Sequence, residues 1–211
     1  MDTPTPNFRD QRRDRIIQAA REVFFEVGYA GASMSMISAR LGGSKATLYA
    51  YFNSKEELFA AIIRDGCAEM AAIFNAHIGT DDLRQSLTTV AREMMGLLLS
   101  ESGNRMLQLV IEESRRNPDL AKLFNDTIES NGRVALKAML QAAHDKGQII
   151  APDVSQAGII LKSLLFGDIH FKRILNLCPE PSFDQLSHHI QLAIDVFLTY
   201  YACKDTEPVK V

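Results

Sequence analysis

Apolar residues recur at intervals of three and four positions along almost the whole chain, which is the spacing of one face of an α-helix. The first segment shows this clearly, with Ile16, Ala20, Val23 and Phe24 on a single stripe. Alternation of apolar and polar residues at every second position is absent, and β-branched residues do not cluster between turn signals. The pattern predicts an all-α protein of about nine helices.

Glycine, proline and capping residues divide this pattern into separate helices. Gly28 is expected to end the first helix in a left-handed conformation, because glycine adopts positive φ without strain. The run Ser102-Gly103-Asn104 predicts the end of the fifth helix. Asn117-Pro118-Asp119 predicts the start of one long helix that continues to Gly147.

Residues 33–52 contain two short helical segments separated by Gly42-Gly43, which is the layout of a helix-turn-helix motif. Leu48 is expected to face inward from the second segment. The opposite face carries hydroxyls, a cation and a phenol, which bind phosphates and base edges. These residues are Ser44, Lys45, Thr47 and Tyr49. We therefore assign residues 1–55 to an N-terminal three-helix DNA-binding domain and residues 56–211 to a C-terminal helical domain.

The formal net charge of the 211 residues is −3, which on its own argues against a nucleic-acid partner. The charge is unevenly distributed along the chain. Residues 1–55 carry eight basic and five acidic side chains, whereas residues 56–211 carry 15 basic and 21 acidic ones. A basic N-terminal part on an acidic body indicates an anionic partner at one end of the molecule.

Several classes of function lack the residues that they need. The apolar runs are far shorter than the roughly 20 residues of a membrane-spanning helix, and the N-terminus has no apolar core of a secretory signal. The three cysteines form no CxxC pair, and no Gly-rich phosphate loop, GxSxG or HExxH motif occurs. We therefore expect a cytoplasmic protein with no catalytic residues, cofactor, metal site or membrane partner.

The run SKATLYAYFNSKEELF at residues 44–59 is the most specific signal in the chain. Together with Phe24 and Gly28-Tyr29, it resembles the DNA-binding domain of the tetracycline-repressor (TetR) family of bacterial regulators. The segment from Leu109 to Ser114 is similar to the AefR-like C-terminal subclass of that family. One departure is Gly43, where the family commonly has a β-branched apolar residue, and we expect a looser turn there.

The resemblance implies that the third helix enters the major groove of double-stranded DNA and that a homodimer reads a palindromic operator. Lys55 is included because a cation in the first turn of the fourth helix opposes the helix dipole, and a phosphate would explain it. The residues expected to contact DNA are Ser33, Ser44, Lys45, Ala46, Thr47, Tyr49, Tyr51 and Lys55. Arg12, Arg13 and Arg15 are expected either to reach flanking DNA or to lie in a solvated arm.

The resemblance also implies that the C-terminal helices hold the dimer and enclose an effector pocket. Soft apolar side chains and a few polar anchors are expected in the pocket. They are Cys67, Met70, Phe74, Met94, Leu98, Glu112 and Asn131. The dimer interface is expected on the last two helices. Its residues are Leu161, Leu165, Leu192, Val196 and Tyr200. Ordinary packing within one chain is the alternative for the apolar members of both sets.

The sequence thus predicts a ligand-responsive DNA-binding regulator, namely a dimeric repressor that a small, largely apolar effector releases from a palindromic operator. One alternative is a DNA-binding regulator or architectural protein with no small-molecule ligand. Another is an enzyme, for which the sequence carries no signature. The identity of the effector and the operator sequence stay open.

Overall fold

The computed structural model of the chain describes residues 8–202. Within them lie ten α-helices: α1 Phe8–Gly31, α2 Met34–Leu41, α3 Lys45–Tyr49, α4 Lys55–Asn75, α5 Leu83–Leu99, α6 Glu101–Glu113, α7 Pro118–Ile128, α8 Val134–Asp145, α9 Val154–Ile174 and α10 Phe183–Tyr201. A π-helical turn, Glu129–Arg133, joins α7 to α8, so the elements form nine continuous helical segments. The predicted all-α class is confirmed. None of the described helices is both long enough and apolar enough to cross a membrane.

The described chain folds as two compact units. The first unit contains residues 8–66 together with residues 108–127, and the second contains residues 67–107 together with residues 128–202. The unit that carries the helix-turn-helix motif is therefore larger than the residues 1–55 that the sequence assigned to it. It includes the first half of α4, the end of α6 and most of α7.

An aromatic cluster lies at the centre of the first unit. The ring centroids of Phe24, Tyr29 and Phe59 are 5.2, 5.4 and 5.7 Å apart, and the rings are tilted or edge-on to one another. Such arrangements stabilise a core beyond the burial of apolar area. Ile37 of α2 and Leu48 of α3 are completely buried in the same unit. The two short helices of the motif are thus held by apolar packing.

Local signals shape the helices around the motif. Gly28 adopts the expected left-handed φ, 72°, but it kinks α1 and does not end it, because the helix continues to Gly31. Gly42 adopts a left-handed φ of 67° immediately after α2. The Oγ of Ser33 accepts a hydrogen bond from the backbone N–H of Met36 and caps the start of α2. These contacts join residues close in sequence, which is why the sequence reveals them.

The second unit has a separate apolar core, to which α5, α8, α9 and α10 contribute. Helix α10 packs against α5 and α9, and α8 packs against α9. The largest side chains that are completely buried there include Met95, Met139, Leu140 and Phe197. Each helix turns one apolar stripe inward, as the spacing of three and four predicted.

The break between α5 and α6 does not lie at Ser102-Gly103-Asn104, so that prediction is wrong. It lies at Ser100, whose Oγ donates to the carbonyl of Leu97 at 2.7 Å and accepts from the N–H of Gly103 at 3.1 Å. Ser100 therefore ends one helix and caps the next within a single residue. A β-carbon on Gly103 would lie 2.3 Å from the Leu97 carbonyl oxygen, so the glycine permits this close turn.

A buried arginine supports the same break from a distant part of the chain. The Nε of Arg173 donates to the carbonyl of Leu99 at 3.1 Å, and its Nη1 donates to the carbonyl of Cys178 at 3.1 Å. Its Nη2 lies 3.7 Å from the carboxylate of Glu101. The guanidinium thus satisfies a carbonyl at the end of α5, which has no partner within that helix.

The predicted single helix after Pro118 is interrupted by the π-helical turn. The interruption coincides with Ser130, Asn131 and Gly132, which all have lower helix propensity than alanine or leucine. Helix α8 then ends before Gly147, whose φ of 72° matches the predicted stop. The start and the end of the helical stretch were thus predictable, whereas the change in hydrogen-bond register between them was not.

Replacement of Gly103 by alanine is expected to destabilise the second unit by about 1–3 kcal/mol, because the added methyl group must displace backbone atoms. Gly96, in the last turn of α5, has open space around its β-carbon position and serves as the control. Gly96→Ala is expected to leave the stability unchanged or to raise it by up to about 1 kcal/mol. Urea unfolding followed by circular dichroism measures both variants. A Gly103→Ala protein as stable as Gly96→Ala would contradict the assigned role of the glycine.

Candidate functional site

Helix α3 presents a short polar face to solvent. Leu48 is completely buried and fixes the rotation of the helix, while Tyr49 on the other side is 49% exposed. Lys45 and Ala46 are also exposed. No ion pair among the described residues involves Lys45, so its ammonium group is available to an anion.

Two hydroxyl groups lie side by side at the start of α3. The Oγ of Ser44 accepts a hydrogen bond from the backbone N–H of Thr47 at 3.1 Å, and it lies 3.0 Å from the Oγ1 of Thr47. A hydroxyl that accepts a capping hydrogen bond keeps its own proton for another acceptor. The pair can therefore cap α3 and still donate one hydrogen bond to a phosphate oxygen.

Lys55 has partners inside its own unit, which the sequence did not reveal. Its Nζ donates to the backbone carbonyls of Tyr29 at 3.0 Å and of Ala32 at 3.4 Å. It also lies 4.5 Å from the centroid of the Tyr29 ring. These contacts satisfy carbonyls at the end of α1 and account for a cation at the start of α4 without a phosphate. The argument that placed Lys55 on DNA is therefore corrected.

A buried phenol strengthens the same junction. Tyr29 is 3% exposed, and its hydroxyl donates to the Oε1 of Glu56 at 3.0 Å. Burial and the neighbouring carboxylate both raise the pKa of Tyr29, which keeps the phenol neutral and able to donate. Burial alone would raise the pKa of Glu56, but hydrogen bonds from its own N–H, from Ser54 and from Tyr29 hold it below its usual value. The pair thus consists of a neutral donor and a charged acceptor.

The arginines of α1 also bind within the unit. Nη1 and Nη2 of Arg13 donate to the two carboxylate oxygens of Asp65, each at 3.2 Å, and so connect α1 to α4. The Nη2 of Arg12 lies 3.1 Å from the position that a β-carbon on Gly43 would occupy. Arg12 thus occupies the space beside the glycine, and the looser turn expected at Gly43 stays a prediction. Of Arg12, Arg13 and Arg15, only Arg15 is exposed to solvent.

Comparison with known families covers both parts of the chain. Residues 16–62 match the family described as bacterial regulatory proteins, tetR family. Residues 85–203 match the AefR-like transcriptional repressor, C-terminal domain. The chain belongs to the TetR family. It is accordingly a DNA-binding transcription regulator of a family of ligand-responsive repressors, as the sequence predicted.

Individual relatives agree with this membership. The HTH-type transcriptional regulator UidR of Escherichia coli K12 is 30% identical over 179 residues, which cover 82% of this chain and 87% of UidR. The solved structure of the flavonoid-responsive regulator FrrA is 27% identical with a TM-score of 0.75, covering 92% of this chain and 98% of that one. A TetR-family regulator of Mesorhizobium loti, 22% identical with a TM-score of 0.83, covers 93% of this chain and 100% of its own and shares the fold. Each of these relatives is described as a regulator.

The residues predicted for the effector pocket of this TetR-family protein are only partly brought together. Phe74 and Met94 line a cavity of about 10 Å³ in the second unit, and Met70 lies in the same core. Leu98 is partly buried against that core, and Asn131 lies in the π-helical turn. The set also includes two outliers. Cys67 is half-buried, and Glu112 is exposed on α6.

Burial raises the pKa of the Cys67 thiol, so at neutral pH the thiol stays protonated and weakly nucleophilic. A redox role for this cysteine has no support in its surroundings.

A second and larger cleft was missed by the sequence reasoning. It has a volume of about 270 Å³ and lies between the π-helical turn, α8 and α9. Three cations line it, namely Arg133, Lys137 and Lys162. Two features of the sequence could have indicated this cleft. Arg133 and Lys137 are four positions apart, and Lys162 is a single lysine in an apolar part of α9. Only the packing of α8 on α9 brings these residues together.

The predicted dimer-interface residues of the TetR-family chain fall into two groups. Leu161 and Leu165 are each 3% exposed and pack in the core of their own chain, as the alternative interpretation held. Leu192, Val196 and Tyr200 of α10 are 58%, 48% and 75% exposed. Their spacing of four places them in one row along the outer side of α10.

Proposed function

We propose that the protein is a dimeric repressor that binds a palindromic operator and leaves it when a small effector binds. The observation that carries the proposal is the exposed polar face of α3, whose rotation is fixed by the buried side chain of Leu48 and whose start is capped by Ser44. A helix with such an exposed polar face is suited to the major groove.

The DNA contacts proposed for this surface follow from exposure and from donor chemistry. Lys45 supplies the unpaired cation, and Tyr49 and Tyr51 supply phenol hydroxyls for phosphate oxygens. The small side chain of Ala46 allows close approach to the floor of the groove. The proposed set is Ser33, Ser44, Lys45, Ala46, Thr47, Tyr49 and Tyr51. Lys55 is assigned to positioning, because its ammonium group already binds the end of α1.

Dimerisation is proposed through the exposed apolar row of α10. Three large side chains in one row, each about half exposed or more, are unusual on the surface of a monomer. A second copy related by a two-fold axis would bury both rows against each other. Such a dimer presents two α3 helices, and two-fold symmetry in the protein is mirrored by a palindrome in the DNA.

An effector can release the operator only if it binds more tightly to a conformation that fits DNA poorly, and DNA must then weaken effector binding by the same factor. FrrA is described as flavonoid-responsive. By analogy, we propose a small organic effector with a large apolar part for this chain, bound in the second unit.

A regulator without a ligand is the second candidate, and one observation favours it. The cavity that Phe74 and Met94 line holds about 10 Å³, which is the space of one water molecule. A thermal-shift screen with apolar and aromatic compounds separates the two candidates, because only a ligand-responsive protein is stabilised by a member of the screen.

Selection of bound fragments from a random DNA library is expected to enrich an inverted repeat. Its half-sites should be centred about one helical turn, or a multiple of it, apart, because the two α3 helices must enter the same side of the duplex. Enrichment of sequences with no two-fold symmetry would contradict a dimeric reader of a palindrome.

Lys45→Met and Lys55→Met are a matched pair of variants, and the binding of both to the selected DNA is compared. Lys45→Met is expected to weaken binding to specific and random DNA alike and to reduce the slope of log K against log salt by about 1 per subunit. Lys55→Met is expected to leave the slope unchanged and to lower the free energy of unfolding by about 1–3 kcal/mol, because two carbonyls lose a charged donor. The opposite assignment of the two lysines would be indicated if only Lys55→Met changed the slope.

Val196→Glu is expected to convert the dimer to a monomer, because two carboxylates would face each other across the axis. Analytical ultracentrifugation measures the change, and the specific operator should be bound at least tenfold more weakly. Ile78→Glu introduces the same charge at another exposed apolar position in the second unit and is expected to stay dimeric. A dimeric Val196→Glu protein would place the interface elsewhere.

A further inference from the structure

The cleft between α8 and α9 combines apolar walls with an excess of positive charge. Val134, Leu136 and Ile159 contribute to its apolar wall, and Arg133, Lys137 and Lys162 also line it. Its volume of about 270 Å³ lies just below the range of about 300–1,000 Å³ that is typical of small-molecule sites. All the lining residues belong to the second unit.

The positive charge is only partly compensated within the chain. Arg133 forms an ion pair with Glu129, its neighbour one turn earlier. Neither Lys137 nor Lys162 forms an ion pair with any described residue. The cluster therefore holds three cations against one carboxylate. Positive groups that face one another without partners repel, and an anion placed between them would relieve that repulsion.

Lys162 is the most unfavourable of the three cations. Burial lowers the pKa of its ammonium group and the charge of Arg133 lowers it further, although Glu129 acts in the opposite direction. The pKa of His170 is also lowered, first by burial and then by the charge of Lys162. A half-buried ammonium group without an anionic partner costs stability. Its retention at the edge of a cleft suggests a ligand that supplies the missing charge.

The cleft borders the small cavity in the core of the second unit. Leu136 and Lys162 line both this cleft and the cavity that Phe74 and Met94 line. Gly158 packs closely against Leu136, because a β-carbon there would be 3.4 Å from the Leu136 Cδ2. The apolar wall of the cleft is therefore continuous with the apolar core at Leu136.

We propose that this cleft is the effector site and that the effector is a small amphipathic organic anion. Its charged group pairs with Lys162 and Lys137, and its apolar body lies against Leu136 and Ile159. This inference rests on the proposed function, because a bound anion is an effector only if the protein is a ligand-responsive regulator. The π-helical turn that contributes Arg133 fits the assignment, because π-helical turns within α-helices are frequent at functional sites.

Three probes with similar alkyl chains and different head groups test whether binding depends on the negative charge of the ligand. Octanoate and octyl phosphate carry anionic groups of two chemical types, and 1-octanol has the same chain without the charge. Calorimetry and thermal shift with the full-length dimer are expected to show octanoate or octyl phosphate binding at least tenfold more tightly than 1-octanol. The stronger of the two anions then identifies the type of charged group. Equal binding of all three, or no binding, overturns the proposal.

Substitution of the lysines tests whether the anionic probe binds in the cleft. Lys162→Met is expected to weaken binding of the preferred anion at least tenfold, to leave binding of 1-octanol unchanged, and to leave the unliganded Tm unchanged or higher, because a repelled charge is removed. Lys137→Met should act in the same direction. Lys172→Met, which removes a lysine of α9 that pairs with Asp168, is the control and should bind as the unaltered protein does. Unchanged binding in both Lys162→Met and Lys137→Met overturns the proposal.

A third result would also overturn it. If Lys162→Met dissociates the dimer, the cations pair with carboxylates of a second copy and not with a ligand. Operator binding without any probe is measured in the same variants to keep the two proposals separate. A protein that binds its operator but no anion retains the proposed function and loses this site. A protein that binds the anion through Lys162 but has no operator retains the site and loses the proposed function.

Discussion

A helix of only five residues has to be held rigidly, and the first unit is organised around that constraint. Helix α3 is far too short to be stable in water by itself, because nucleation of a helix costs more than one turn can recover. Burial of Leu48 fixes its rotation, and the Ser44 cap fixes its start. The aromatic cluster of Phe24, Tyr29 and Phe59 joins α1 to α4 in the same unit. The polar face of α3 is a consequence of these contacts.

Cations in this protein have three different roles that their sequence positions do not distinguish. Lys45 is exposed and forms no ion pair within residues 8–202, which suits a polyanion. Lys55 and Arg13 are bound to carbonyl and carboxylate oxygens inside the first unit and hold its helices together. Lys162 belongs to a cluster of three cations that Glu129 compensates only in part, in a unit that is otherwise acidic. The net charge of −3 conceals all three roles, because it averages over groups in different surroundings.

Much of the fold could be predicted because its signals are local. The positive φ of Gly28, Gly42 and Gly147 depends on neighbours a few residues away. The break at Ser100 could not be placed, because it also requires Arg173, which reaches Leu99 from 74 residues further along the chain. In the candidate site, the exposed residues of α3 were predicted and stay a prediction as DNA contacts. The partners of Lys55 and Arg13 were not foreseen.

The sequence by itself determined the helical class, the position of the helix-turn-helix motif and the family, because periodicity, caps and the run at residues 44–59 are properties of the chain alone. Only the tertiary structure decided which cations bind to other groups of the chain. Arg13 donates to Asp65, which is 52 residues away in the sequence, and Lys55 donates to the carbonyl of Tyr29, which is 26 residues away. The cleft with Lys162 likewise exists only where α8 meets α9. Long-range packing decides these pairings, because it sets which charges lose water and which oppositely charged groups lie within reach.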